Sequence, residues 1–152
     1  MKISDVIQPQ TVVYDLAAPS KAELIRLLAK EAARAVSLSE KAIQHALMAR
    51  EELGSTGIGQ GIALPHARLA GLAKPFTLAA RLRAPLGFDS IDGVPVDIVV
   101  LLLIPDRAGE SHVDMLACVA KQLRSKTVQA AVRSARDGSQ LYGAFTADCG
   151  PA

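Results

Sequence analysis

Residues 97–104 read Asp-Ile-Val-Val-Leu-Leu-Leu-Ile, apolar at every place after the first. A strand with one wet face alternates apolar and polar side chains. A run this uniform needs cover on both faces. It predicts a central strand in a sheet that carries helices on each side, so the fold class is α/β. A length of 152 residues suits a single domain, and half of the residues are apolar, enough to bury a sizeable core. Aromatic residues make up 3% and tryptophan is absent, so that core is built from Leu, Ile, Val and Ala.

The rest of the pattern fits this architecture. Residues 11–16 form a short strand. Ser20 and Glu23 make an S-x-x-E capping box that opens a helix to about Val36, with Leu24, Leu27, Leu28 and Ala32 as its apolar stripe. Ser37 and Glu40 repeat the signal and open a second helix that stops at Gly54. Residues 61–64 form a strand, and residues 76–84 alternate as a half-buried strand. Residues 85–95 make a loop carrying Gly87 and Gly93. Ser111 caps a helix to about Leu123, with a stripe of Val113, Leu116, Ala117, Ala120 and Leu123. Ser125 opens another helix and Ser139 a short last one. Strands and helices intermix through short connections.

Several function classes drop out. Net charge is +2, and no run of Lys or Arg exceeds two residues, so no nucleic-acid surface is expected. The longest apolar run, residues 98–105, falls far short of the ~20 needed to span a bilayer, so no membrane insertion is expected. The first residues lack the apolar core of a signal peptide, which places the protein in the cytoplasm. Cys118 and Cys149 form no C-x-x-C. Cys118 falls in an apolar helical pattern and reads as a small core residue.

The chemistry concentrates around one histidine. His66 ends the run Gly54-Ser55-Thr56-Gly57-Ile58-Gly59-Gln60-Gly61-Ile62-Ala63-Leu64-Pro65. Alternating glycines let backbone approach something that side chains would block, and Pro65 fixes the chain just before the imidazole. Imidazole can take up a phosphoryl group as a nucleophile and titrates near neutral pH. A turn histidine that merely packs has no need of exposed backbone beside it. Other readings of the glycines fail: no Gly-Lys-Ser/Thr follows, and Gly57-x-Gly59-x-Gly61 has the wrong final spacing for a dinucleotide fingerprint.

Arg50 lies about 340° round the second helix from Ile43, inside the apolar stripe. It either snorkels at the last turn or projects into a cleft beside the glycines and binds an anion with its planar fork. His112 falls at the first turn of a helix, where it either caps backbone or stands at an anion site. His45 points about 200° away from Ile43 and is a solvated surface residue. A zinc hydrolase using His66 and His112 is conceivable, although no H-x-H or H-E-x-x-H spacing supports it.

Ser55 to His66, STGIGQGIALPH, resembles the phosphorylation-site signature of the enzyme IIA components of the fructose/mannitol class of bacterial phosphotransferase systems. The likeness runs from about Ile3 to Phe145, and Arg50-Glu51 and the His112 helix share it. It implies the type-2 IIA fold, a single domain over residues 1–147 with a mixed sheet flanked by helices, followed by a short tail. It implies phosphoryl uptake on His66, as a tele-phosphohistidine, from HPr or a paralogue. It also implies a phosphate-stabilising Arg50 and a second active-site histidine, His112, with no cofactor and no metal. Amides of Gly57, Gly59 and Gly61 are expected to help hold the phosphoryl oxygens. Ser55 and Thr56 either donate to the same oxygens or cap the loop.

Residues 88–97, Phe-Asp-Ser-Ile-Asp-Gly-Val-Pro-Val-Asp, followed by the long apolar strand and Pro105, look like the nitrogen-regulatory members. Those members end their relay on regulation, so target proteins would read the state of His66. The alternative destination is a sugar-specific IIB domain. The chain also admits a homodimer.

Overall fold

Strand β6 (Val96–Pro105) forms the centre of a mixed sheet. In this computed structural model, residues 2–107 and 111–148 are described, and for residues 111 and 112 the backbone alone. On one side β6 pairs antiparallel with β5 (Phe76–Leu86), which pairs parallel with β1 (Val12–Leu16). On the other side two short strands pair parallel with β6 in succession, β3 (Ile62–Ala63) and β4 (His66–Leu69). Their register is continuous: Ile62 lies opposite Ile98, Ala63 opposite Val99 and His66 opposite Leu102. They are one line of chain interrupted at Leu64–Pro65. Strand β2 (Gly57–Gly59) folds back antiparallel on β3. It reaches β3 but does not pair with β4.

The uniform apolar run does what its composition requires. Val99, Leu101 and Leu103 enter one core with Leu24, Leu28, Ile43 and Leu47 from α2 (Lys21–Ala35) and α3 (Glu40–Glu52). Ile98, Val100 and Leu102 enter the other. Their partners there come from α4 (Ser111–Arg124), α5 (Lys126–Ser134) and α6 (Gly138–Phe145), and from Val6 at the end of the short α1 (Ile3–Val6). Period-two alternation on a strand covered on both faces thus makes two cores from one segment.

Several local expectations shift. The α2 cap is half a capping box: Ser20 Oγ accepts from the Glu23 amide at 3.2 Å, but the Glu23 carboxylate turns to Arg26. Ile25 joins the buried face of α2, whereas Leu27 is half-exposed. Helix α3 is capped by Ser39 rather than Ser37, and α6 by Asp137 rather than Ser139. Strand β5 is not half-buried. Thr77, Leu78, Ala79 and Ala80 are all buried, because β5 lies between two other strands with helices over both faces.

The expected stripe of α4 is also displaced. Val113 is 54% exposed and Ala117 is exposed, while Val119, Gln122 and Leu123 are buried. Gln122 tolerates burial because its amide donates to the carbonyls of Phe145 (2.9 Å) and Ala147 (2.6 Å) at the end of α6. Cys118 is half-buried against the second core. Cys149 and the tail beyond residue 148 lie outside the described residues. No helix among the described residues is long and apolar enough to cross a membrane.

Candidate functional site

His66 is the first residue of β4, so it stands on a strand and not in a loop. Pro65 donates nothing to the ladder, yet its carbonyl accepts from the Leu102 amide at 2.9 Å and carries the strand line through to His66. His66 Nδ1 lies 2.8 Å from the carbonyl oxygen of Leu64. A carbonyl only accepts, so Nδ1 carries the proton, and in the neutral ring the lone pair is on Nε2. The nucleophilic nitrogen is therefore fixed by a local backbone contact two residues upstream.

Alternation along the same line turns Ile62 and Leu64 into the second core, and His66 and Arg68 come next on that face. Ala67 and Leu69 turn the other way, into the first core. At β4 the sheet ends, and helix α3 packs alongside. The result is a half-buried imidazole in a cleft of about 510 Å³ at the sheet edge. Ala46, Ala49, Arg50 and Leu53 form its α3 wall; His66, Ala67, Arg68, Ile104 and Leu116 complete it. Two guanidiniums and an imidazole line this space, and no carboxylate does so among the described residues. That is the composition of an anion site.

Arg50 sits in the last turn of α3, beyond the buried Ile43 and Leu47. Its Nη1 donates to the carbonyl of Gly54, just beyond the helix end, at 2.8 Å. The bond holds one prong of the guanidinium fork, in the cleft that His66 also lines. Arg50 lines the cleft. The structure also brings in two residues that the sequence reading gives no part: Arg68, which lines the cleft, and Glu51, which braces it. Arg68 was legible once His66 was placed on a strand, since residues two apart share a face. Glu51 is buried, 4% exposed at its side chain. It accepts from the Thr56 amide at 3.0 Å and from the Thr56 hydroxyl, and pairs with Lys21 Nζ at 3.1 Å. This ties the end of α3, and so Arg50, to the strand pair that leads to His66.

The glycines lie close against other parts of the same chain. Gln60 and Gly61 have φ of 61° and 79°, the two left-handed residues of a tight hairpin between β2 and β3. A Cβ on Gly57 would fall 2.1 Å from Ser90 Oγ, and one on Gly59 would fall 3.1 Å from Asp92 Oδ2. The body that approaches this backbone is the chain's own segment 88–97. Gly57, Gly59 and Gly61 do not line the cleft. Asp92 pins the segment by accepting from the amides of Gln60 (2.9 Å) and Val94 (3.1 Å), which hold its carboxyl below the usual carboxylate range. Ser55 and Thr56 also turn inward. The Ser55 hydroxyl donates to the Phe88 carbonyl at 2.7 Å, and that of Thr56 to Glu51. Both cap the turn.

Gly61 tests this reassignment. A Cβ there would meet Arg133 Nη2 at 2.7 Å and Asp97 Oδ1 at 3.1 Å, at a φ that L residues disfavour. Gly61→Ala is expected to lower unfolding free energy by about 1–3 kcal/mol in urea titration, while phosphoryl uptake by the folded fraction is kept. Loss of uptake at unchanged stability would return the glycines to the chemistry.

His45 is exposed on α3, as its angle predicted. The backbone of His112 lies in the first turn of α4, and its side chain lies outside the described residues. Among the described residues, no group of three or more His, Cys, Asp or Glu side chains is placed to hold a metal ion.

Residues 5–147 match the family described as phosphoenolpyruvate-dependent sugar phosphotransferase system, EIIA 2. A nitrogen regulatory protein of Bradyrhizobium diazoefficiens is 40% identical over 142 residues, 93% of this chain and 93% of that protein. The crystal structure of nitrogen regulatory protein IIA-Ntr from Neisseria meningitidis superposes with a TM-score of 0.88 at 33% identity, over 95% of this chain and 99% of that one. The crystal structure of IIA mannitol from Escherichia coli shares the fold, with a TM-score of 0.75 at 16% identity over 91% of this chain and 98% of that one.

Proposed function

The chain belongs to the phosphoenolpyruvate-dependent sugar phosphotransferase system EIIA 2 family, and from that membership we propose that it is a phosphocarrier of the nitrogen-regulatory type whose acceptor is His66. The observation that carries this reading is the cleft: an imidazole with its tautomer set, flanked by guanidiniums, with no carboxylate among the lining residues. The donor is an HPr-like phosphocarrier. Its phosphohistidine meets His66 in line. The Nε2 lone pair forms the new N–P bond while the donor's N–P bond breaks, and that electron pair stays on the donor's ring nitrogen. The His66 ring becomes positive, and the Nδ1–H bond to Leu64 stabilises it without moving a proton. The Arg50 fork meets charge on the equatorial oxygens. His112, at the start of α4, is proposed to assist in the same way.

Incubation with phosphoenolpyruvate, the first enzyme of the relay and an HPr-like donor tests this directly. One acid-labile phosphoryl group should appear, mapped to His66. Stable refusal of label by folded protein would end the proposal.

The output is proposed to be regulatory. A phosphoryl group adds close to two negative charges in a cationic cleft, enough to make or break an interface. Pull-downs from cells with an active or a silent relay should then differ for the wild-type chain and agree for His66→Ala. The IIA mannitol likeness shows a shared fold, and fold does not choose between regulation and sugar uptake. If the wild-type chain restores fructose or mannitol uptake to a strain lacking its own IIA, and no other partner responds to phosphorylation, the sugar-specific IIB destination replaces the regulatory one.

A further inference from the structure

Resting on the reading of His66 as acceptor, we infer that Arg68 is a second guanidinium ligand of the phosphoryl group, engaged in the phosphorylated state. His66 and Arg68 are first and third residues of β4, in unbroken register with Leu102 and Ile104. Two residues along a strand separate Cα atoms by about 6.6 Å and return the side chain to the same face. An arginine side chain is long enough to cover that span. Both residues line the cleft, and Arg68 is exposed, so its fork can swing without disturbing the core.

Arg68 also reaches across to the turn that follows β6. Its Nη1 donates to the Asp106 carbonyl at 3.5 Å, the long limit of a hydrogen bond to a neutral acceptor. A phosphoryl group on His66 Nε2 offers a doubly charged acceptor on the same face, and charge-assisted bonds are about twice as strong as neutral ones. Arg50 and Arg68 reach the cleft from different elements, one from the end of α3 and one from the edge strand. Arg50 is already anchored on Gly54, which suits a group needed during transfer. Arg68 is exposed on the edge strand, which suits a group that holds the product. The inference concerns the lifetime and equilibrium of phospho-His66, where the proposed function concerns its formation.

Arg68→Gln and Arg68→Lys in the full chain separate these. Each variant is equilibrated with the phosphorylated donor, and the ratio of phospho-His66 to phosphorylated donor is read by intact mass. The label is then followed after the donor is removed. Arg68→Gln should still be labelled at His66 but with an equilibrium ratio about tenfold lower and faster hydrolysis. Arg68→Lys, which keeps charge and loses the fork, should fall between. Thermal melting of the unphosphorylated variants should match wild type, since an exposed side chain is being changed. If the ratio and hydrolysis of Arg68→Gln equal those of wild type, the inference is overturned while the proposed function stands. A slower approach to the same ratio would make Arg68 a docking residue and also overturn it. If wild type itself takes no label at His66, the proposed function falls first, and this inference with it.

Discussion

His66→Ala takes up no phosphoryl group and keeps its fold. The expected loss is complete, because among the described residues the other side-chain nitrogens that line the cleft belong to Arg50 and Arg68, and guanidiniums are not nucleophiles. The fold survives because β4 is held by backbone pairing to β6 and by Ala67 and Leu69, which enter the first core. Among the local losses is the 2.8 Å contact of Nδ1 with the Leu64 carbonyl. A hydrogen bond of this kind is worth about 1 kcal/mol net, small beside the stability of a domain. Labelling by the full relay, followed by mass mapping and a denaturation curve, measures both halves. Residual acid-labile label at His112 or His45 would move the acceptor. A collapsed denaturation midpoint would mean that the imidazole is structural and that labelling in this variant says nothing of chemistry.

The chain's architecture was legible where one segment had a single physical solution. Residues 97–104 had to be covered twice, and the structure covers them with α2 and α3 on one side and α4, α5 and α6 on the other. Ser20 and Ser125 were legible as caps because a hydroxyl before a helical period has few other uses. The α4 stripe was not legible. Its buried face includes Gln122, and only the carbonyls of a distant helix end explain a buried glutamine. At the site, the glycine run was read for approach by a ligand. Any close neighbour demands glycine, and here the neighbour is segment 88–97 of the same chain. Arg68 went unnoticed for a related reason. The expected strand stops at residue 64, so residues 66 and 68 share no face in the sequence pattern, and the strand that makes them neighbours is an edge strand of only four residues.

Arg50→Ala slows phosphoryl transfer onto His66 by about 10²-fold while the acceptor remains His66. The expectation follows from the charge that spreads over the phosphoryl oxygens as the N–P bonds exchange. Ala46, Ala49, Leu53, Ile104 and Leu116 offer that charge no hydrogen bond from their side chains, so a guanidinium held beside them counts for more. The variant also loses the donor to the Gly54 carbonyl, but Gly54 is exposed and water replaces the bond, so stability changes by about 1 kcal/mol or less. Rate and stability therefore part company, which a purely structural arginine would not allow. Arg50→Lys retains the charge without the fork and should recover part of the rate. Rapid-quench transfer from the phosphorylated donor measures each variant. Rates within twofold of wild type for Arg50→Ala would reduce Arg50 to a cap on α3. Combining Arg50→Ala with Arg68→Gln adds a further constraint. Two side chains that bind one phosphoryl group share its charge, so their losses should be non-additive. Simple addition would place the two arginines on separate tasks.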